Sequence, residues 1–327
     1  MKSWRIHQAG EAGEVYQLED IAPPRPGPGQ VRVRVLGAAV NYPDVMMARG
    51  HYQVQPPYPY TPGVELCGEV LEVGGDAGVA GVAVGDRLVG TAELPAGAFA
   101  EEALMSATLA QPAPPQLDDA QAAALHIAYQ TGWFGLHRRA RLHAGETLLV
   151  HAAAGGVGSA AVHLGKAAGA RVIGIVGGAE KVSIATELGC DVVLDRTRDD
   201  LVGAIKEATR GHGVDVAYDP VGGTAYDVSA RTIAFEGRIV IVGFASGAIP
   251  NPGLNHALIK NYSILGLHWG LYNRDPAAIR AATGQLNDLV AGGMRPLVSQ
   301  RLPLDQAAAA VTAVGAGRTT GRIVITP

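Results

Sequence analysis

The first 124 residues place apolar and polar side chains in alternation over short stretches. VRVRVLGAAV (31–40), CGEVLEVG (67–74) and GDRLVG (85–90) follow this pattern, and glycine and proline interrupt the chain between them. A period of two is typical of a β-strand that buries one face. This part of the chain is therefore predicted to be mostly β-structure.

Near Asp118 the pattern changes to a helical period and then to alternating strands and helices. DDAQAAALHIAYQTGWFGLH has helical spacing, and Asp118 is placed to cap its start. The strands that follow are continuous apolar runs, as expected for a parallel sheet with both faces covered. They are TLLVHA (147–152), RVIGIV (171–176), VVLD (192–195), VDVAYD (214–219), RIVIVGF (238–244) and a short sixth run, SILGL (263–267).

These patterns predict an α/β fold with a doubly wound parallel sheet in the middle of the chain. The closing GRTTGRIVITP contains one more apolar run, which is expected to rejoin the first β-region as a strand. The predicted domains are a mostly β domain from residues 1–124, a Rossmann dinucleotide-binding domain from residues 125–264, and the returning part of the β domain from residues 265–327.

The composition excludes several classes of function. The 327 residues are 48% hydrophobic and 17% charged, which describes a compact globular protein. No secretory signal is evident, and no uninterrupted apolar run is long enough to cross a bilayer. A net charge of −4 argues against a nucleic-acid partner. Two cysteines, Cys67 and Cys190, build no disulfide framework, so a cytoplasmic location is expected.

A glycine-rich stretch follows the first parallel strand and opens a helix. Gly155 and Gly156 would let a pyrophosphate approach the backbone, Val157 continues the turn, and Gly158 would let the helix pack against the sheet. Ala153 takes the place of the usual first glycine. The alternative is a strand–helix turn that binds nothing, but the five strand–helix alternations around it favour a dinucleotide site.

The end of the second parallel strand indicates which dinucleotide binds. NAD-binding folds place an acidic residue there for the ribose hydroxyl, whereas RVIGIV ends in Gly177 and Gly178. Lys181 and Arg196 follow nearby and are suited to a 2′-phosphate, which favours NADPH. Glu180 argues against a 2′-phosphate, because a carboxylate beside the site would repel its negative charge. The alternative for Lys181 is an ordinary solvated lysine on a helix.

Taken together, the motifs resemble the medium-chain dehydrogenase/reductase superfamily, in its zinc-independent quinone oxidoreductase (zeta-crystallin-like) branch. The resemblance covers nearly the whole chain and implies a GroES-like catalytic domain beside the Rossmann domain. It is carried by NYPDVMMARGHY (41–52), PYTPGVELCGEVLEVG (59–74), AYQTGW (128–133), AAAGGVG (152–158), VDVAYDPVGG (214–223), GRIVIVGFASG (237–247) and GRTTGRIVI (317–325).

The residues at the zinc positions of this superfamily indicate that no metal is bound. The zinc alcohol dehydrogenases place a cysteine and a histidine where this chain resembles them at Asn41 and Val64, and neither residue replaces a thiolate or an imidazole. The cysteines of the structural zinc lobe are also missing. Cys67 falls in a predicted strand and is expected to be a small buried hydrophobe.

Without zinc to polarise a carbonyl, acceptors that spread charge over a conjugated system are the better substrates. A quinone is the leading hypothesis. An enoyl thioester, an alkenal or an enone is the alternative on the same scaffold, and a non-catalytic NADPH-binding protein is a third. The physiological acceptor, and whether electrons move singly or as a hydride, stay open at this point.

The resemblance also implies roles for individual residues. Asn41 and Asp44 are expected to face the nicotinamide side of the cleft, with a simple turn role after Pro43 as the alternative for Asp44. Thr131 resembles the threonine at the nicotinamide end. Gly243 and Phe244 resemble positions that line the cofactor, and Arg318 resembles a cation near the 2′-phosphate.

Two aromatic residues are candidates for contact with the acceptor. Tyr52 resembles a tyrosine that donates a proton or orients the substrate in related reductases, and its hydroxyl is suited to hydrogen-bond a developing oxyanion. Packing among the neighbouring prolines is the alternative. Trp269 is expected to line the same cleft or to be buried at a domain or subunit surface.

The sixth strand is expected at the exposed edge of the parallel sheet. Exposed apolar edges pair across two-fold axes. A homodimer joined through SILGL (263–267) is therefore predicted, in agreement with what the family resemblance implies.

Overall fold

The computed structural model describes residues 1–75 and 81–327, which fall into two compact units. The first unit comprises Met1–Ile127 and Tyr272–Pro327, and the second comprises Ala128–Leu271. The sequence suggested boundaries after residues 124 and 264. Each unit is described by itself below.

The first part of the chain is mostly strands, and strands and helices alternate from β8 to β13. The strands are β1 (Lys2–Ile6), β2 (Tyr16–Asp20), β3 (Gln30–Ala39), β4 (Glu65–Val73), β5 (Arg87–Thr91), β6 (Glu102–Ser106), β7 (Gln111–Pro112), β8 (Thr147–His151), β9 (Arg171–Val176), β10 (Val192–Asp195), β11 (Val214–Asp219), β12 (Ile233–Ile241), β13 (Ser263–Gly266), β14 (Val298–Pro303) and β15 (Arg322–Thr326). The α-helices are α1 (Ala12–Val15), α2 (Tyr42–Ala48), α3 (Asp119–Ala123), α4 (His126–Trp133), α5 (Gly156–Ala167), α6 (Ala179–Glu187), α7 (Leu201–Ala208), α8 (Thr224–Thr232), α9 (Leu254–Lys260), α10 (Pro276–Ala291) and α11 (Ala307–Gly315). A π-helical segment (Phe134–Arg139) and two 3-10 helices (Trp269–Arg274 and Leu304–Gln306) complete the described elements.

The first unit is built on a sheet that both ends of the chain share. Within its described residues the strand order is β14-β15-β3-β4-β5-β7, and β6 also pairs with β3. β15 runs antiparallel to β3, with Val324 opposite Ala39. The expectation that the closing apolar run rejoins the first β-region is therefore confirmed.

The alternating pattern of β3 determines which face of this sheet is buried. Val31, Val33 and Val35 are each 3% exposed or less, and they pack in a core with Ile323 and Ile325 of β15. Burying a side chain of this kind stabilises the fold by roughly 1.5–3 kcal/mol. The returning strand therefore contributes to the same core as the first strands.

The second unit is a doubly wound α/β domain. Residues 128–271, all of which are described, form a parallel sheet in the order β10-β9-β8-β11-β12-β13. Leu148, Leu149 and Val150 are fully buried because helices cover both faces of the sheet. A Cβ on Gly165 of α5 would lie 2.5 Å from Cδ2 of Leu148, so this glycine permits close packing of the helix on β8.

Two elements differ from the predicted pattern. The helical stretch that begins at Asp118 is divided into α3, α4 and the π-helical segment, although Asp118 caps α3 as predicted, accepting from the Gln121 N–H at 2.9 Å. β12 begins at residue 233 rather than 238, because Ile233 pairs with Val214 before the register shifts and Arg238 pairs with Val216. Residues 234–237 lie between these two paired segments.

The strand order predicts a ligand-binding crevice at the carboxyl ends of the strands in this sheet. β8 lies between β9 and β11, and the chain winds in opposite directions on its two sides. In such sheets ligands bind at the carboxyl ends of the strands where the winding reverses.

Among the helices of residues 1–75 and 81–327, none combines the length and the apolar character that a membrane span requires.

Candidate active site

The glycine-rich turn after β8 leads directly into α5, as predicted. Gly155 is the N-cap residue and the helix begins at Gly156. A Cβ on Gly158 would lie 2.0 Å from the carbonyl oxygen of Ala152, so no larger residue fits where the helix crosses the turn. Gly155, Gly156 and Val157 are partly exposed at the helix start, where unpaired N–H groups attract an anion.

The turn itself is made by a residue that the sequence did not single out. Ala152 adopts a left-handed conformation with φ of 51°, and the Gly155 N–H donates to its carbonyl oxygen at 2.8 Å. Ala153, which takes the place of the usual first glycine, is buried and donates its N–H to Ile175 of β9. The motif therefore tolerates alanine at position 153 because the left-handed residue lies one position earlier.

A cationic pair lies beyond the end of β9. The guanidinium of Arg196 is so close to Gly177 that a Cβ there would lie 2.8 Å from Nε and 3.0 Å from Nη2. Burial lowers the pKa of Lys181, Arg196 lowers it further, and Glu180 opposes the change. Arg196 therefore lies at the end of the second parallel strand and interacts electrostatically with Lys181.

Glu180 is explained by its position on the helix. It is exposed in the first turn of α6, where the positive end of the helix stabilises a carboxylate. The acidic side chain that forms hydrogen bonds with the loop after β9 is Asp195, which was not predicted from the sequence. Its Oδ1 accepts from the Gly178 N–H (2.9 Å) and from the N–H and hydroxyl of Thr197 (3.0 and 2.8 Å), and these hydrogen bonds lower its pKa.

Asp195 thus fixes the backbone of the loop after β9. Gly178 has φ of 100°, a conformation that glycine adopts easily. Because Oδ1 of Asp195 accepts from Gly178 and Thr197, this carboxylate is a structural partner of the backbone. The sequence feature that could have indicated this role is the position of Asp195 at the end of the apolar strand VVLD.

The carboxyl ends of β11 and β12 bring a second group of predicted residues together. Oδ1 of Asp219 accepts from the N–H groups of Val221 and Gly222 at 2.8 and 2.9 Å. The ring of Phe244 lies against Gly222, where a Cβ would be 2.8 Å from Cδ1, and Gly243 approaches Pro220. Gly243 and Phe244 lie just after β12 rather than within it, since the strand ends at residue 241.

His151, at the end of β8, is buried beside this loop. Its Nε2 and the hydroxyl of Ser229 are 2.8 Å apart, and burial lowers its pKa while Asp219 opposes that change. The sequence analysis did not identify His151. Its position at a strand end, after an apolar run, was the available signal.

The remaining candidates of the second unit lie on or near α4. Thr131 is buried on this helix. Trp269, at the start of a 3-10 helix, donates its indole N–H to Oε1 of Gln130, next to Thr131, at 3.1 Å. Trp269 is therefore half-buried and held by a hydrogen bond within its own unit.

In the first unit, Asn41 joins a buried ion pair that the sequence did not reveal. Its Nδ2 donates to Oε2 of Glu65 (2.9 Å) and to the carbonyl oxygen of Ala39 (3.0 Å), and its Oδ1 accepts from Nη1 of Arg322 (3.0 Å). Nη2 of Arg322 also contacts Oε2 of Glu65. Burial raises the pKa of Glu65, and Arg322 opposes that rise.

This cluster does not fit a zinc ion. An asparagine amide would bind a metal through its Oδ1, but Oδ1 of Asn41 accepts from Nη1 of Arg322, and the side chain of Val64 offers no ligand atom. Within residues 1–75 and 81–327, no three His, Cys, Asp or Glu side chains are grouped to hold a metal. Cys67 is buried in β4 as expected, and burial raises the pKa of its thiol to about 12.

Asp44 and Tyr52 interact electrostatically in the same unit. Oδ2 of Asp44 accepts from the Asn41 N–H at 2.8 Å, whereas Oδ1 has no hydrogen-bond partner among the described residues. Burial raises the pKa of Asp44 to about 7. Tyr52 is half-buried, and its pKa is raised by burial first and by Asp44 second. Asp44 thus has a turn role at the start of α2 and acts electrostatically on Tyr52.

Arg318 lies in the exposed loop between α11 and β15. Its N–H donates to the carbonyl oxygen of Ala313 at 3.3 Å. Its guanidinium is on the surface of the first unit.

Comparison with known proteins identifies the family. Residues 27–115 match the alcohol dehydrogenase GroES-like domain, and residues 156–284 match the zinc-binding dehydrogenase family. A quinone oxidoreductase-like protein 2 homolog from Nematostella vectensis is 37% identical over 329 residues, which cover 99% of this chain and 89% of the relative. This chain belongs to the medium-chain dehydrogenase/reductase family. It is an oxidoreductase of the quinone oxidoreductase type, as the sequence motifs predicted.

Two further proteins are similar to this chain. The solved structure of Escherichia coli quinone oxidoreductase complexed with NADPH has a TM-score of 0.93 and 30% sequence identity, with 100% of each chain covered. A mycocerosic acid synthase-like polyketide synthase from Mycobacterium tuberculosis is 33% identical over 318 residues, which are 96% of this chain but 15% of that protein. The Rossmann and GroES-like architecture predicted for the chain is confirmed.

Proposed function

We propose that this protein is an NADPH-dependent, zinc-independent quinone oxidoreductase. The observation that carries the coenzyme assignment is that Arg196 lies against Gly177 and interacts electrostatically with Lys181. β9 itself ends without an acidic residue, and the nearby carboxylate of Asp195 accepts from the Gly178 N–H and from Thr197. The likeness to the NADPH complex of the Escherichia coli enzyme supports it. NADPH supplies reducing equivalents from its nicotinamide ring when bound.

The second unit holds the coenzyme in this proposal. The N–H groups of residues 156–158 bind the pyrophosphate, because they open α5 and no side chain at Gly158 blocks the approach. Arg196 and Lys181 bind the 2′-phosphate. Thr131, Gly243, Phe244 and Trp269 are assigned to the nicotinamide end, and this assignment depends on the family resemblance.

The first unit supplies the groups proposed to act on the acceptor. Tyr52 donates a hydrogen bond to the acceptor oxygen as negative charge develops there. Its raised pKa keeps the phenol protonated at neutral pH. Asn41 and Asp44 are positioning residues on the nicotinamide side, and Arg318 is assigned to the 2′-phosphate, again by resemblance.

The zinc-free assignment follows from the chemistry of the residues at positions 41 and 64. An engaged amide and a valine stabilise no alkoxide, so simple alcohols are poor substrates. A quinone spreads the incoming charge over its ring and both oxygens. Tyr52 is then sufficient as the hydrogen-bond donor.

Steady-state oxidation of NADPH and NADH with a benzoquinone panel tests this function. We expect selective turnover with NADPH, and we expect Tyr52→Phe to lower kcat by about 100-fold at unchanged coenzyme KM. Replacing Lys181 and Arg196 by alanine together is expected to raise the NADPH KM by roughly 10- to 100-fold and to leave the NADH KM unchanged. Arg231→Ala, an exposed arginine of the same unit, is the matched control.

An enoyl-thioester reductase is the second candidate. The match to a segment of a polyketide synthase is the observation that favours it. Faster turnover of crotonyl-CoA than of any quinone would replace the first candidate by this one. Tight NADPH binding with no turnover of quinones, enals or thioesters would instead support a non-catalytic NADPH-binding protein.

We further propose a cytoplasmic homodimer. Strand β13 lies at the sheet edge, and α9 exposes Leu254, Leu258 and Ile259 to between 72% and 76%. Large exposed apolar side chains next to an open strand favour a second copy as the partner. Sedimentation velocity of the wild type and of Leu258→Glu tests this, because a monomeric wild type would refute the dimer.

A further inference from the structure

A basic pocket opens at the amino ends of the parallel strands in the second unit. It has a volume of about 510 Å³ and is lined by the segment before β8, by the middle of β12 and by the first residues of β13. The glycine-rich turn lies at the carboxyl end of β8, which is the opposite end of the strands in the same sheet. The basic pocket is therefore separate from the proposed coenzyme site.

Arg238 and Glu146 form the fixed wall of the basic pocket. Two nitrogens of Arg238 donate to the two carboxylate oxygens of Glu146 at 2.9 and 2.8 Å. Arg238 also donates to the carbonyl oxygens of Ala140 (3.0 Å) and Asp215 (3.2 Å). Glu146 is thus neutralised by Arg238 and offers no free negative charge to the pocket.

The rest of the lining is predominantly cationic. Four arginines and two glutamates contribute to it, which leaves a net charge of +2 with His143 neutral. For the exposed Arg139 and Arg141, no ion pair is present within the part of the chain that the structure describes. Two guanidinium groups therefore line this open pocket, and among the lining residues only Glu236 opposes their charge.

The backbone around the pocket is held in an uncommon conformation. Arg141 and Glu236, both lining residues, have φ of 51° and 57°. Residues other than glycine seldom adopt this region, and such strain gathers at ligand clamps. Arg238 holds Arg141 in place by donating to its carbonyl oxygen at 3.3 Å.

We propose that the basic pocket binds a small polyanion carrying two or more phosphate groups. A guanidinium presents N–H donors in a planar fork that matches two phosphate oxygens, and Arg139 and Arg141 supply two such forks. The pocket is broad and open to solvent, so a polyanion can reach both guanidinium groups from the surface. The hydroxyl of Ser263, at the start of β13, adds a donor to the lining.

Calorimetric titration of inorganic pyrophosphate into the full-length protein saturated with NADPH tests this site. Saturation with the coenzyme closes the other phosphate-binding position of this unit. We expect one pyrophosphate per chain, and we expect Arg139→Ala combined with Arg141→Ala to weaken binding roughly tenfold or more. NADPH affinity and thermal stability are expected to stay unchanged in this double variant.

The control removes the same charge elsewhere in the unit. Arg210→Ala combined with Arg231→Ala takes away two exposed arginines, and Arg210 shares the left-handed conformation of Arg141 with φ of 53°. Wild-type affinity in this control supports the basic pocket. An equal loss in both double variants, or no pyrophosphate binding once NADPH is saturating, would overturn the proposal and leave the oxidoreductase assignment untouched.

Discussion

Asp44 gives the sharpest test of the electrostatics in the first unit. Burial raises its pKa from 3.8 to about 7. Between about pH 4 and pH 7 the folded protein therefore keeps a proton that the unfolded chain has released, so the free energy of unfolding falls as pH rises through this window. A shift of about three units corresponds to roughly 4 kcal/mol of stability lost by the upper end.

Asp44→Asn isolates that contribution. An asparagine is neutral at every pH, and its carbonyl oxygen accepts the Asn41 N–H as the carboxylate does. The variant is expected to gain up to about 4 kcal/mol over the wild type between pH 4 and pH 8, with the difference constant above pH 8. Titrating groups that do not interact with Asp44 cancel because they are common to both proteins, whereas Glu65 interacts with Asp44 and contributes to the measured difference.

Urea unfolding at several pH values measures this difference. Trp4 reports on the first unit alone when Trp133 and Trp269 are replaced by phenylalanine in both proteins. Asp86→Asn is the matched control, since Asp86 also accepts a backbone N–H, from Ala83 at 2.8 Å, but is partly exposed. Parallel curves for wild type and Asp44→Asn across the whole pH range would refute the reasoning.

Three other variants or measurements follow from the same structure. Arg322→Ala leaves the carboxylate of Glu65 buried without a cation and is expected to lower the free energy of unfolding by about 3–5 kcal/mol, with partial rescue by Glu65→Gln, as measured by urea denaturation. Gly158→Ala places a methyl group 2.0 Å from the oxygen of Ala152 and is expected to weaken NADPH binding roughly 100-fold or more in a fluorescence titration. The thiol of Cys67, with its pKa raised to about 12, is expected to resist iodoacetamide at pH 8 until the protein unfolds, as followed by mass spectrometry.

Each of the three predictions for Arg322, Gly158 and Cys67 has a result that would contradict it. Gly284→Ala adds a methyl group to open space in α10, so equal loss of NADPH binding in this control would remove the steric argument for Gly158. Rapid alkylation of Cys67 in the folded state would show that β4 opens readily. Unchanged stability in Arg322→Ala would mean that water reaches Glu65.

The sequence predicted those parts of the fold that depend on local pattern. Continuous apolar runs identified the parallel strands, and RVIGIV and VVLD match β9 and β10 at both ends. β12 begins earlier than predicted because its first residue pairs across a register shift, which depends on β11 rather than on the local run. The position of the glycine-rich turn between β8 and α5 was predicted correctly, but its left-handed residue was not, since alanine gives no local signal for positive φ.

The buried ion pair of the first unit could not be predicted from the sequence for a different reason. Glu65 and Arg322 are 257 residues apart in sequence, and each looks like an ordinary charge beside a strand. Only the pairing of β15 with β3 and of β3 with β4 brings them into one buried cluster with Asn41. Side-chain contacts between distant strands follow from topology, which a single sequence does not contain.

The place of β15 in its sheet has a consequence for biosynthesis. This strand inserts between β14 and β3, yet of all the strands in that sheet it leaves the ribosome last. All residues of the second unit are present in the nascent chain once Leu271 has been added, whereas the early strands keep an unpaired edge beside β3 until β15 is synthesised. A stalled or shortened polypeptide lacking Arg322–Thr326 would carry a finished nucleotide-binding half attached to an aggregation-prone remnant.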